Sequence, residues 1–127
     1  MDKQRLFYQC KICGNIIEII EHSGVIPTCC GEQMSLLQGR TEDVGREKHT
    51  PVAVRQGRQI KVDVGSQPHP MMPEHHISWI AVVQGDYMQR CMLTSDAPPS
   101  ASFCLCDDGP VTLYEYCTVH GLWVAQA

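Results

Sequence analysis

Apolar and polar residues alternate strictly over 60–64, where Ile60, Val62 and Val64 are separated by Lys61 and Asp63. That period of two is the pattern of a half-buried β-strand. Residues 52–56 precede it across Gly57-Arg58, a spacing that predicts a hairpin. Residues 77–83 are rich in β-branched and aromatic side chains, interrupted only by Ser78, and predict a central strand. Runs over 87–93, 102–106, 111–117 and 122–124 predict further short strands. Asp107-Asp108-Gly109-Pro110 marks a turn between two of them. No 11-residue window carries an i, i+3, i+4 apolar stripe, and eight prolines spread along the chain disfavour helices. The expected class is all-β, and short strands at this spacing suggest an immunoglobulin-like β-sandwich.

The pattern weakens around residue 38. Residues 38–46 are polar, hold two glycines and show no apolar period, so they read as a linker or long loop. Two domains are expected, 1–37 and 38–127. The first is too short to bury an adequate core unaided, since chains below about 40 residues need a metal, disulfides or a partner. The second is long enough to build its own.

Length and charge then exclude whole classes. A chain of 127 residues holds one ordinary domain or one domain with a small appendage. Its formal net charge of −4 argues against nucleic-acid binding, which rests on neutralising phosphates. No apolar run approaches the ~20 residues of a membrane-spanning helix. The opening Met1-Asp2-Lys3-Gln4-Arg5 is not followed by the apolar region of a signal peptide, so cytoplasmic placement is expected. In that reducing setting, eight cysteines and six histidines point to metal or redox chemistry rather than a disulfide framework.

Four cysteines fall in the first domain. Cys10-x-x-Cys13 followed by Gly14 is a metal knuckle: two thiolates can reach one ion, and the glycine lets the backbone turn its amides toward sulfur. Cys29-Cys30 follows, flanked by Pro27 and Gly31. Adjacent residues of an extended chain point to opposite sides, so both thiols can share an ion only across a local bend. Four thiolates around one ion suit zinc or iron. The adjacent pair, unusual in zinc ribbons, favours iron. His22 lies between the pairs on no ligand spacing and reads as a surface residue.

The second domain carries three further patterns. Glu47-Lys48-His49 places a carboxylate, a cation and an imidazole in one loop. His69, His75 and His76 lie in a stretch braced by Pro70 and Pro73, and at most one of the adjacent pair His75 and His76 can face a common centre. Cys117-x-x-His120 sets a thiol and an imidazole at a spacing that reaches one ion. Cys91, Cys104 and Cys106 lack such partners and read as small buried hydrophobes, with a Cys91–Cys104 bridge left open.

In this order, Cys10-x-x-Cys13, Cys29-Cys30, Glu47-Lys48-His49-x-Pro51, His69-Pro70-Met71-x-x-x-His75 and Cys117-x-x-His120-Gly121-Leu122-Trp123 resemble the desulfoferrodoxins, the two-iron superoxide reductases, end to end. The resemblance implies a desulforedoxin-like domain with one iron held by four thiolates, those of Cys10, Cys13, Cys29 and Cys30, ahead of the sandwich. It implies a second iron held by His49, His69, His75 and His120 with Cys117 as axial thiolate, and so selects His75 over His76. It also implies a homodimer, superoxide as substrate, and an external electron donor of the rubredoxin kind, since the chain has no flavin or nicotinamide motif. One departure is Thr118, where the family often has Asn beside the ligand cysteine.

The expected reaction is one-electron reduction of superoxide to hydrogen peroxide in defence against oxidative stress. Glu47 and Lys48 are the candidate catalytic residues: Lys48 to attract the anion and order the water that delivers protons, Glu47 to fill the open iron position in the oxidised state. The competing readings are a rubredoxin-type electron carrier whose second metal is structural, and a zinc-stapled binding module.

Overall fold

The computed structural model describes residues 5–41 and 46–127; the side chains of Arg46 and Glu47 lie outside the description. The chain divides into two compact units, Met1–Gln38 and Gly39–Ala127. No helix among the described residues is long and apolar enough to cross a membrane.

In the smaller unit, strands β1 (Leu6–Gln9), β2 (Ile16–Ile19) and β5 (Ser35–Leu37) form an antiparallel sheet in the order β2-β1-β5. A two-residue ladder, β3 (Thr28–Cys29) with β4 (Glu32–Gln33), carries the second cysteine pair. The core is small: Tyr8, Cys10 and Met34 are buried, with Leu6, Ile19 and Cys29 packed on them. Two of its six members are thiols, so the metal-binding group is part of what the unit buries. That is the arrangement expected of a chain segment too short to bury enough apolar surface by itself.

The larger unit is a sandwich of two antiparallel sheets, with strand order β10-β7-β6 in one and β12-β11-β8-β9 in the other. The strands are β6 (Pro51–Gln56), β7 (Gln59–Val64), β8 (Ile77–Gln84), β9 (Tyr87–Met92), β10 (Ser100–Cys104), β11 (Thr112–Cys117) and β12 (Gly121–Gln126). Each strand expected from the sequence is present, with ends shifted by one to a few residues. The hairpin at Gly57-Arg58 closes on the pair Gln56–Gln59. Between the sheets lie Ile60, Val62, Val64, Ile80, Val82, Phe103 and Leu113. Strands β8 and β11, central in their sheet, are buried on both faces, which is why 77–83 lacks the alternation of 60–64.

Three expectations are corrected. Cys104 and Cys106 are exposed and Cys91 is half-buried, not buried, and all three thiols are free. The cause is the strand period: Ala101, Phe103 and Leu105 take the core face, which turns Cys104 and Cys106 outward. The segment 38–46 is not a plain linker. Arg40 pairs with β12, its amide donating to the Leu122 carbonyl (2.9 Å) and its carbonyl accepting from Val124 (3.0 Å). Gly39 permits this approach, because a Cβ there would lie 2.7 Å from Val124 Cγ1. Finally, Glu47-Lys48-His49 is not loop but part of a single helical turn, α1 (Arg46–His49), leading directly into β6. Residues 42–45 of the expected linker lie outside the described residues.

All the ligand-bearing segments of the sandwich meet at one end. α1 precedes β6, the 65–76 loop joins the end of β7 to the start of β8, and the 118–120 turn joins β11 to β12. Antiparallel alternation therefore delivers three separate segments to one rim, with β8 ending at the opposite one.

Candidate metal centres

The first group comprises Cys10, Cys13, Cys29 and Cys30, whose sulfurs all lie within 4.8 Å of one another. Locally the knuckle is closed by Cys10, whose amide donates to the Asn15 carbonyl (2.9 Å) and whose carbonyl accepts from Gly14 (3.0 Å). The turn aims the amides of Ile12 and Cys13 at Cys10 Sγ, each at 3.4 Å. The bend required at the adjacent pair is present: Cys30 has φ 54° and Gly31 φ 78°. A cysteine in the left-handed region is strained, and such strain persists where the surroundings fix it. Here it turns both sulfurs to one side, with Cys29 Sγ 3.6 Å from Cys13 Sγ and 3.9 Å from Cys30 Sγ.

Charge shows what the group lacks. The amides of Cys13 and Ile12 stabilise a thiolate at Cys10, pulling its pKa down to about 6. The neighbouring sulfurs of Cys13, Cys10 and Cys29 oppose a second charge and push Cys30 up to about 12. Four thiols this close cannot all ionise against one another, and a cation at their centre removes that opposition. The donor set fits a tetrahedral sulfur-ligated ion, zinc or iron by geometry alone.

The second group is His49, His69, His75, Cys117 and His120, whose ligand atoms also lie within 4.8 Å of one another. The four rings form a square. Neighbouring centroids are 4.6 Å apart for His49–His69, 4.8 Å for His69–His75, 5.0 Å for His75–His120 and 4.6 Å for His120–His49, whereas the His49–His75 diagonal is 6.4 Å. Cys117 Sγ lies 3.5 Å from His69 Nε2 and 3.7 Å from His120 Nδ1.

The protonation pattern also suits a metal. His69 Nδ1–H donates to the Pro70 carbonyl at 2.7 Å, which leaves the lone pair on Nε2, facing the group. His49 Nε2 lies 3.0 Å from both His69 Nε2 and His120 Nδ1, closer than lone pairs tolerate unless a cation or proton is shared. Burial disfavours the protonated rings: it lowers His69 to about 4, where the cost of burial outweighs the Pro70 carbonyl, and it lowers His75 as well. Burial raises the Cys117 thiol, opposed by the amides of His120 and Val119, the first of which lies 3.4 Å from the sulfur. An ion at the centre favours the thiolate over the thiol. Five donors, four imidazoles and one thiolate, would hold one ion and, if it takes six ligands, leave room for a small one.

The remaining site candidates fall apart from this group. His76 turns away, its Nδ1–H donating to the Met72 carbonyl (3.0 Å), and His22 is exposed. Lys48 is exposed beside His49, and the side chain of Glu47 lies outside the described residues. Three supports take their roles only in the fold: Trp123 and Thr118, named with the family motif, and Glu115, which residue-level reading missed. Trp123 is buried and stacks on His49 with centroids 4.9 Å apart and planes 16° apart. Glu115 is fully buried, with its pKa pushed up by burial to about 9. Thr118 bonds to the backbone of His76. Glu115 was visible in principle: it shares the strand face of Leu113, two residues before Cys117.

A tetrathiolate centre in a small sheet, followed by a sandwich with a centre of four imidazoles and one thiolate at its rim, defines a class: non-haem metalloproteins with one closed and one open metal centre. Comparison with known proteins narrows it. The desulfoferrodoxin N-terminal domain model matches residues 3–37 and the desulfoferrodoxin model residues 41–126. The chain belongs to the desulfoferrodoxin family, and its two groups match the family's two iron sites. It is 40% identical over 127 residues to the desulfoferrodoxin of Nitratidesulfovibrio vulgaris, covering 100% of both chains. The solved superoxide reductase from Treponema pallidum superposes with a TM-score of 0.80 at 31% identity, covering 98% of this chain and 99% of that one. The reduced superoxide reductase (neelaredoxin) from Archaeoglobus fulgidus covers 70% of this chain and 95% of its own, with 32% identity and a TM-score of 0.51.

Proposed function

We propose that this protein is a superoxide reductase: superoxide, one electron and two protons give hydrogen peroxide at the imidazole–thiolate centre. The observation that carries the reading is the square of four imidazoles backed by one buried thiolate. An iron bound there supplies the electron and one open coordination position. Everything else is the work of the chain. Four neutral imidazoles and a single thiolate leave a divalent ion with one net positive charge, so a small anion is drawn to the remaining position. Lys48 adds a second positive charge at the same rim and orders the water through which protons arrive. Glu47, next to Lys48 in sequence, would supply a competing carboxylate for an oxidised ion held there. Cys117 would hold that ion through its thiolate, which would donate electron density to it.

The tetrathiolate centre has four protein ligands and no open position, which suits electron exchange and stapling rather than catalysis. Electrons come from an external carrier of the rubredoxin kind, because the chain has no flavin or nicotinamide motif. The protein acts as a homodimer in the cytoplasm, where both thiolate groups stay reduced.

The test is a stopped-flow trace of the reduced protein against pulsed superoxide, with metal analysis on the same sample. Bimolecular oxidation of one iron with release of peroxide is expected. Azide should perturb the spectrum of that iron and leave the other unchanged. Zinc in both sites, or a second iron that neither azide nor superoxide touches, overturns the reading in favour of a staple or an electron carrier.

A further inference from the structure

The ladder between β8 and β11 is regular down to Tyr116–Trp79 and then slips, so that Cys117 pairs with Ile77 and Ser78 is left over. This bulge falls at the thiolate itself. Sheet pairing alone therefore does not fix Cys117 against the loop that carries His75. One residue further on, pairing resumes in altered form. The Thr118 amide donates to the His76 carbonyl at 3.0 Å, and the His76 amide donates to Thr118 Oγ1 at 3.1 Å. The hydroxyl stands in for the main-chain carbonyl that an ordinary antiparallel pair would offer. His76 is tied down at its other end as well. Its ring donates to the Met72 carbonyl, and Met72 and His75 exchange both backbone hydrogen bonds at 3.0 Å each.

We propose that Thr118 and His76 are positioning residues that clamp the turn bearing Cys117 and His120 to the loop bearing His75, holding thiolate and imidazole in register at the metal centre. The inference rests on the metal-centre reading above and deepens it. Neither residue belongs to the five-residue ligand group. In the His75-His76 pair, one histidine reaches the centre and its neighbour anchors the loop. Because the hydroxyl supplies one of the two bonds between Thr118 and His76, its loss loosens the imidazole–thiolate centre and leaves the tetrathiolate centre alone.

The experiment uses the full iron-loaded chain with Thr118→Val, which keeps the shape and removes the hydroxyl, and Thr118→Ser, which restores it. Iron loss from each centre to an excess of chelator is followed through its own visible absorption. Thr118→Val should release iron from the imidazole–thiolate centre roughly three- to ten-fold faster, the worth of one net hydrogen bond. It should also shift the sulfur-to-iron band. The tetrathiolate centre should be unaffected, and Thr118→Ser should behave as the parent. Equal release rates for parent and Thr118→Val overturn the clamp, as does a serine variant as fast as the valine one. A matching acceleration at both centres also overturns it, since that marks general loosening. Metal analysis before chelator is added separates these results from the failure of the underlying reading, which would show as a parent without iron at the second centre.

Discussion

Replacing Lys48 by alanine separates two ways in which one cation can speed the capture of an anion. Lys48 is exposed and immediately precedes the buried ligand His49. Consecutive Cα atoms are about 3.8 Å apart, so an extended ammonium stands on the order of 10 Å from the centre of the group. At that distance in water two unit charges attract by about 0.4 kcal/mol, close to a two-fold effect on encounter. Salt near 0.1 M, with a screening length of about 10 Å, removes most of it. The whole chain cannot compensate, because its formal net charge is −4 and repels an anion at long range. Lys48→Ala should therefore slow the second-order reaction with superoxide by at least about two-fold at low salt and flatten its dependence on ionic strength, whereas Lys48→Arg keeps both. A larger loss that persists in high salt would assign Lys48 to proton delivery at contact range, where general acid assistance is worth about a hundred-fold or more. The assay is pulse radiolysis of the reduced protein at several salt concentrations. An alanine variant with the parent's rate and the parent's salt dependence refutes the reasoning.

Three further outcomes follow from the same geometry. Cys13→Ser should demetallate the small unit, seen as loss of the tetrathiolate absorption, while direct superoxide reduction by the second centre stays largely intact; loss of both would make the first centre necessary for the chemistry. Gln84→Leu, at the rim away from the metal, removes a side chain that accepts from the Cys106 amide (2.8 Å) and donates to the carbonyls of Asp107 (3.0 Å) and Gly109 (3.3 Å). Urea unfolding should show a loss of about 2–3 kcal/mol with the metal absorption unchanged in the native baseline. Glu115 has its pKa raised by burial from 4.5 to about 9, so its folded form holds the proton more tightly than its unfolded form. Its contribution to stability is full below pH 4.5 and declines as pH rises toward about 9, by at most about 1.4 kcal/mol per pH unit. Glu115→Gln should remove that decline between about pH 5 and 8, and parallel stability profiles for the two proteins would contradict it.

Much of this molecule is written locally. The alternation of Ile60, Val62 and Val64 sets a strand whatever it packs on, and the two-residue spacing of Cys10 and Cys13 makes a knuckle from backbone geometry alone. A shared ion requires a bend at Cys29-Cys30, and Cys30 at φ 54° shows how the chain meets that requirement. What local pattern could not decide was which way ambiguous residues face. Cys104 and Cys106 read as core because cysteine is small and apolar, yet Phe103 and Leu105 took the inner face and the period of two forced the thiols out. By spacing alone His75 and His76 are equivalent; in the fold the His75 ring joins the ligand group while the His76 ring donates to the Met72 carbonyl.

Residue types and their spacing thus determined the strands, the cysteine knuckle and the need for metal, because each depends on a few neighbours along the chain; which histidines complete the second group, His75 rather than His76 among them, they left open. Tertiary structure decided that three segments separated by tens of residues converge on one rim, that Trp123 stacks on His49, and that Glu115 is sealed beside the thiolate. The physical reason is that antiparallel pairing brings strand ends together by topology and a bulge can shift a side chain by one register. Both are properties of how strands meet rather than of any strand alone.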